Sequence, residues 1–292
     1  MCNSVCKVLI ATLLIGCIYW VGLSFTGWRA FLGETNFQNN MIRADTLVNE
    51  PPGDVIVIGS SISGRLLPSY FEGGQRKIVV LGLDGCPLLT GLEMVKRANQ
   101  KPDVILLECM MTSFDPGANH NATLNIIGSP VFRTAKWLPI LRPSWRPSSV
   151  LYTQSKLTRE RGVAESSPDR SGQKLAPQFV VPADTTTEEQ DRWKIKTIET
   201  IAGIASEGTR CISLRLPLGG ASLTSDSRFH DLGDSLSETY GMTVIDTVQI
   251  IRQRGLEISF SDNVHLRSNS ARVVSQIIRE ALRQNLENGE SK

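Results

Sequence analysis

The chain has 292 residues, 41% hydrophobic and 21% charged, which is enough apolar material for a sizeable core and excludes general disorder. Thirty-one Lys and Arg against 29 Asp and Glu leave a net charge of +2, too balanced for a nucleic-acid phosphate track.

Val8–Phe25, VLIATLLIGCIYWVGLSF, is an uncharged run between Lys7 and Arg29. Eighteen residues at 1.5 Å rise give about 27 Å, close to the ~30 Å hydrocarbon thickness of a bilayer. Tyr19, Trp20 and Trp28 suit an interfacial position. A cleaved signal peptide would carry a shorter apolar region and a small-x-small cleavage site. Leu14-Ile15-Gly16-Cys17 resembles a lipobox, but Ile18-Tyr19-Trp20 is not the polar sequence that normally follows a lipidated cysteine. The expectation is therefore an uncleaved membrane anchor over 1–29, with a cleaved signal segment and a lipoprotein lipidated at Cys17 as the alternatives. Its short N-terminal tail stays cytoplasmic, and the globular part lies outside, in the periplasm or at the cell surface.

Residues 30–53 are polar and end at Pro51-Pro52-Gly53, which reads as a linker. Asp54–Gly59 is a short β-branched run, the pattern of a strand buried on both faces, and Lys77–Gly82 is a second. Leu88–Gln100 has helical spacing, and Asp103–Glu108 is a third strand. A long helix is expected over Thr187–Ser206, a fourth strand at Cys211–Leu216 and a helix near Asp226–Tyr240. A fifth strand at Thr243–Asp246 and a last helix at Ser268–Leu286, with Ser268 as its N-cap, complete the series. Strands alternating with helices imply a flavodoxin-like three-layer α/β/α fold with a parallel sheet of about five strands. The α/β domain runs over 54–292, with an irregular, Pro- and Arg-rich insertion at about 110–185.

In an open α/β sheet, ligands bind beyond the carboxyl ends of the strands. The first strand runs into Gly59-Ser60-Ser61, the second into Gly82-Leu83-Asp84-Gly85, and the third into Glu108-Cys109-Met110-Met111-Thr112. Asp262-Asn263-Val264-His265 stands just before the last helix. A carboxylate three residues before a histidine reaches one imidazole nitrogen within a single turn, leaving the other to take a proton from a serine.

In this order the blocks resemble the SGNH (GDSL-like) hydrolase superfamily, over about Asp54 to Leu286. Gly59-Ser60-Ser61 stands for its Gly-Asp-Ser block, Gly85 for the second-block glycine, and Asp262 with His265 for the final Asp-x-x-His. The resemblance implies Ser61 as nucleophile, His265 as base and Asp262 as its orienter. The oxyanion donors would come from Ser61, Gly85 and Thr112. The Gly-Ser-Ser variant looks like membrane-anchored members that act on acyl groups of envelope or extracellular polysaccharide. The implied activity is a serine esterase or O-acyltransferase acting on an acylated, principally acetylated, carbohydrate. It needs no cofactor and no metal, and no protein partner is indicated. The family's third block, Gly-x-Asn-Asp, is not matched; Thr112 stands where its asparagine would be. A catalytically silent, glycan-binding or scaffolding relative is the alternative.

Several residues carry competing readings. Ser60 competes with Ser61 for the nucleophile role, because a one-residue shift at the strand exit would exchange them. Glu108 reads as a solvated or capping carboxylate, and His120 and His230 as surface or insertion residues. Trp137 and Trp145 either stack on sugar rings or pack against the domain. Six cysteines without a CxxC or Cys/His cluster suit neither a disulfide scaffold nor a zinc site. Cys86 and Cys109 follow strands that flank a common neighbour, about 10 Å apart, which favours buried thiols over a disulfide.

Overall fold

A computed structural model describes residues 2–109, 117–138, 141–163, 187–218, 232–261 and 264–289. Five parallel strands form one sheet: β1 (Val55–Gly59), β2 (Ile78–Gly82), β3 (Val104–Glu108), β4 (Arg210–Arg215) and β5 (Val244–Asp246), in the order β2-β1-β3-β4-β5. Every residue of β1, β2 and β3 is buried, as their unbroken Val/Ile/Leu runs require of strands covered on both faces. The order reverses direction between β1 and β3, which creates a crevice at the carboxyl ends of those strands.

One face of the sheet presents Ile56, Ile58, Leu81, Ile105 and Leu107 to α2 (Asn36–Asn49), α3 (Leu88–Arg97), α4 (Gly117–Gly128), α7 (Thr187–Ser206) and α8 (Leu232–Tyr240). The other presents Val55, Val57, Val80, Val104 and Leu106 to α9 (Thr247–Gln253) and α10 (Ser268–Gly289). The three-layer α/β fold expected from the strand–helix alternation is thus present. The last helix shows its apolar stripe directly: Ala271, Val274, Ile277, Ile278 and Leu282 are all buried.

Three stretches differ from the sequence reading. Residues 30–53, expected as a linker, hold α2, which opens on a capping box made by Thr35 and Gln38. It sends Ala44 and Leu47 into the core, together with Asn40, Arg43 and Asp45. The polar inward face concealed the helix from an apolar-period test. The insertion is not irregular where it is described: it forms α4, α5 (Pro130–Thr134) and α6 (Pro147–Val163). There too polar groups point inward, with His120 and Thr123 buried on α4 and Ser149 and Thr153 on α6. Helix α9, for which no element was expected, follows directly on β5, with Asp246 as its N-cap.

The N-terminal helix α1 (Cys2–Thr26) contains a stretch, Ser4–Thr26, long and apolar enough to cross a membrane. Its last turns touch the rest of the chain. Tyr19 donates its hydroxyl to the Trp145 carbonyl at 2.8 Å, and Leu23 is buried with Ala30, Ile42, Trp145 and Val150. Behind this contact Arg142 binds Asp45 at 3.0 Å and also pairs with Glu50, which accepts from Arg29 at 2.7 Å.

Candidate active site

Strand β1 ends at Gly59 and the chain turns through Ser60, Ser61 and Ile62 into a single 3-10 turn, Ser63–Arg65. The turn is tied from below by Glu108, the last residue of the adjacent strand β3. Its Oε2 accepts the amides of Ser60 and Ser63, each at 3.0 Å, and its Oε1 accepts the Ser60 hydroxyl at 2.7 Å. Glu108 is 3% exposed, so it caps the turn but is not solvated. Gly59 permits this approach, because a Cβ there would collide with the Glu108 carboxylate and the Ser63 hydroxyl.

Ser61, half-buried in the same turn, lies with Oγ 2.8 Å from Nε2 of His265. The two residues stand 204 positions apart in the sequence. His265 is held by its backbone: Ser261 donates both its amide (2.8 Å) and its hydroxyl (3.2 Å) to the His265 carbonyl. Phe260 and Leu266 form an antiparallel bridge, and Arg267 donates its amide to Ser259 and its Nε to Phe260, each at 3.0 Å. The ring is therefore presented from backbone that is pinned just ahead of α10. When Nε2 carries no proton, the Ser61 hydroxyl donates to it, the arrangement a nucleophile needs.

The turn after β2 stands beside the Ser61 turn, since β1 and β2 are neighbours and the Leu83 amide continues the ladder to the Gly59 carbonyl at 2.7 Å. Gly85 adopts φ +65°, a left-handed conformation natural to glycine. The Asn119 amide of α4 lies over it, 2.8 Å from where a Cβ would stand. The turn is held from α2: Asn39 donates to Asp84 Oδ2 at 2.7 Å, and Asn40 receives the Asp84 amide at 2.8 Å while donating to its carbonyl at 3.0 Å. Arg43 bonds Asp84 Oδ1 at 2.8 Å, the Gly82 carbonyl, and the Gly64 carbonyl at 3.1 Å, so one guanidinium spans both turns.

Ser61, Gly85 and His265 thus all sit beyond the carboxyl edge of the sheet, with Ser61 and His265 in contact. Asp262 and Thr112 lie outside the described residues, as does His230. His120 is not a surface residue: it is buried, its Nδ1 is 2.8 Å from Thr90 Oγ1, and Trp193 meets it edge-on at 5.0 Å. Burial holds its imidazole below the ordinary value. Trp145 packs in the core, whereas Trp137 is 79% exposed. Cys86 and Cys109 are buried thiols with no disulfide between them. Among the described residues, no three His, Cys, Asp or Glu side chains converge as a metal site.

Sequence reasoning overlooked Glu108 as the anchor of the serine turn, together with Asn39, Asn40 and Arg43. The available signal was Thr35-x-x-Gln38, a capping-box spacing that starts a helix on which these three residues share a face.

No protein-family model matches the chain, and no curated protein matches it. Among solved structures, an acetyl xylan esterase is similar at 13% identity and a TM-score of 0.39, over 78% of this chain and 98% of the other. The site defines the class at a coarse level: a parallel α/β sheet carrying a serine–histidine pair at its carboxyl edge.

Proposed function

We propose that this protein is a membrane-anchored serine esterase or O-acyltransferase of SGNH type. Ser61 is the nucleophile, and the observation that carries the reading is the 2.8 Å Ser61–His265 bond. Ser60, the competing serine, donates its hydroxyl to Glu108 and is thereby committed to the turn.

In the proposed reaction His265 Nε2 takes the Ser61 proton as Oγ attacks the acyl carbonyl. The tetrahedral intermediate collapses with cleavage of the bond to the alcohol oxygen, which leaves carrying that proton, and an acyl-Ser61 remains. Water or a second sugar hydroxyl then gives its proton to His265 and takes the acyl group, so hydrolysis and transfer share one enzyme form. Asp262 orients His265. The amides of Ser61 and Gly85, with Thr112, stabilise the oxyanion, and the Asn119 amide over Gly85 is a further donor in the same region. Each such donor is worth about 2.7–4 kcal/mol in the transition state.

The substrate is an envelope or extracellular polysaccharide carrying acyl, principally acetyl, groups, reached by a globular part outside the cytoplasmic membrane. Residues 1–29 anchor it. The burial of α2 in the core argues that the folded unit begins ahead of residue 36, rather than at 54.

The test uses the full chain in detergent with p-nitrophenyl acetate and a fluorophosphonate probe, beside Ser61→Ala and His265→Ala. Turnover and labelling lost in Ser61→Ala, with both strongly reduced in His265→Ala, are expected. Absence of both from the unaltered chain would overturn the reading in favour of a silent glycan-binding protein.

A further inference from the structure

Glu108 is a carboxylate 3% exposed at the end of a central strand, and the reaction just described does not use it. Both its oxygens are engaged, and all three donors they accept from belong to the serine turn: the Ser60 amide, the Ser60 hydroxyl and the Ser63 amide. The same turn is closed internally. The Ser60 hydroxyl accepts from the Ile62 amide at 3.2 Å, and the Ser60 carbonyl accepts from the Ser63 hydroxyl at 3.0 Å and the Gly64 amide at 3.1 Å. The residues either side of Ser61 are therefore fixed, while the Ser61 side chain meets His265.

We infer that Glu108 is the positioning residue of this turn, holding Ser60 and Ser63 so that Ser61 Oγ is kept at His265; the inference rests on the reading of Ser61 as nucleophile. Its role is geometric. Oε2 serves two amides, which a carboxamide oxygen can serve equally. Oε1 serves a hydroxyl, which can accept from a carboxamide NH2 instead of donating. A carboxylate acting through its charge or as a proton carrier has no such substitute.

The experiment compares unaltered full-length protein, Glu108→Ala, Glu108→Gln and Ser60→Ala in detergent. Melting temperature, kcat and KM for p-nitrophenyl acetate, and the fluorophosphonate labelling rate are read for each. Glu108→Ala leaves three donors unsatisfied and releases the turn. Displacement of a nucleophile by about 1 Å costs on the order of 10²-fold, so kcat and labelling fall by about that factor in the folded protein, with KM little changed. Glu108→Gln restores most of this, remaining within about threefold of the unaltered chain. Wild-type kcat in folded Glu108→Ala would overturn the inference. So would a Glu108→Gln variant as inactive as Glu108→Ala, which would mark a charge or proton role.

If Glu108→Ala does not fold, Ser60→Ala decides. It removes one of the three bonds to Glu108, together with the Ile62 amide's bond to the Ser60 hydroxyl, and the expected result is a folded protein with a modestly lowered melting temperature and kcat down by about tenfold. Unchanged kcat in Ser60→Ala would then overturn the inference. Inactivity of the unaltered chain toward both ester and probe is a separate outcome: it removes the Ser61 reading itself, and the positioning role with it.

Discussion

Arg43 and Asp84 meet at 2.8 Å with each side chain only 10% exposed, joining α2 to the turn that carries Gly85. Removing one partner of a buried pair strands the other charge, which costs about 3–5 kcal/mol. Arg43→Ala and Asp84→Ala are each expected to lose that much in urea unfolding of the full chain. Replacing both residues by apolar ones removes the stranded charge. It leaves the Gly82 and Gly64 carbonyls without their guanidinium donor, so a residual cost of about 1–3 kcal/mol is expected. A double variant as stable as the unaltered chain would show that the carbonyl bonds contribute nothing.

At Gly85 two penalties are separable. The φ of +65° costs an L-residue about 1–2 kcal/mol, and a Cβ would also press on the Asn119 amide at 2.8 Å. The side chain of Asn119 can turn away, so backbone strain dominates. Gly85→Ala is expected to lower stability by about 1–2 kcal/mol, with little recovered in Gly85→Ala/Asn119→Ala. Full recovery in the double variant, measured by thermal melting, would assign the effect to the Asn119 contact.

The strands were legible because burial on both faces writes an unbroken apolar run, and the first four residues of β1, β2 and β3 carry nothing else. The last helix was legible from its stripe of Ala271, Val274, Ile277, Ile278 and Leu282. Ser61 could be assigned to a strand end, and His265 to the start of the last helix, because those boundaries could be found. Helices α2, α4 and α6 were missed for one physical reason: their inward faces bury Asn40, Arg43, Asp45, His120, Thr123, Ser149 and Thr153, so hydrophobic periodicity fails where hydrogen bonds do the packing. Glu108 escaped similarly. A terminal glutamate on a strand normally reaches solvent, and only the three-dimensional neighbourhood of β1 reveals its donors.

Glu50 gives the network of Arg29, Arg142 and Asp45 a pH dependence. Burial pushes its carboxyl up, but hydrogen bonding and charge from Arg142, then Arg29, outweigh this and hold it below the ordinary 4.5. A depressed folded value means that the stabilisation is complete above the ordinary value and is lost as pH falls through the folded one. The difference in melting temperature between the unaltered chain and Glu50→Gln is therefore expected to be full at neutral pH and to narrow progressively below 4.5. A difference independent of pH across that range would exclude Glu50 ionisation as its source.

Two buried thiols flank the site in sequence: Cys86 follows Gly85, and Cys109 follows Glu108. Burial pushes the Cys86 thiol up, despite the Thr123 hydroxyl beside it, and burial raises Cys211 on β4 to about 11. The thiolate is the reactive species, so near-neutral alkylation of the folded chain should leave Cys86 and Cys211 unmodified, with both reacting once urea exposes them. Peptide mass spectrometry after iodoacetamide treatment checks this directly. Esterase turnover, if carried by Ser61, should survive that treatment and disappear with a fluorophosphonate. Inactivation by iodoacetamide in step with Cys86 modification would instead point to thiol chemistry at the Gly85 turn.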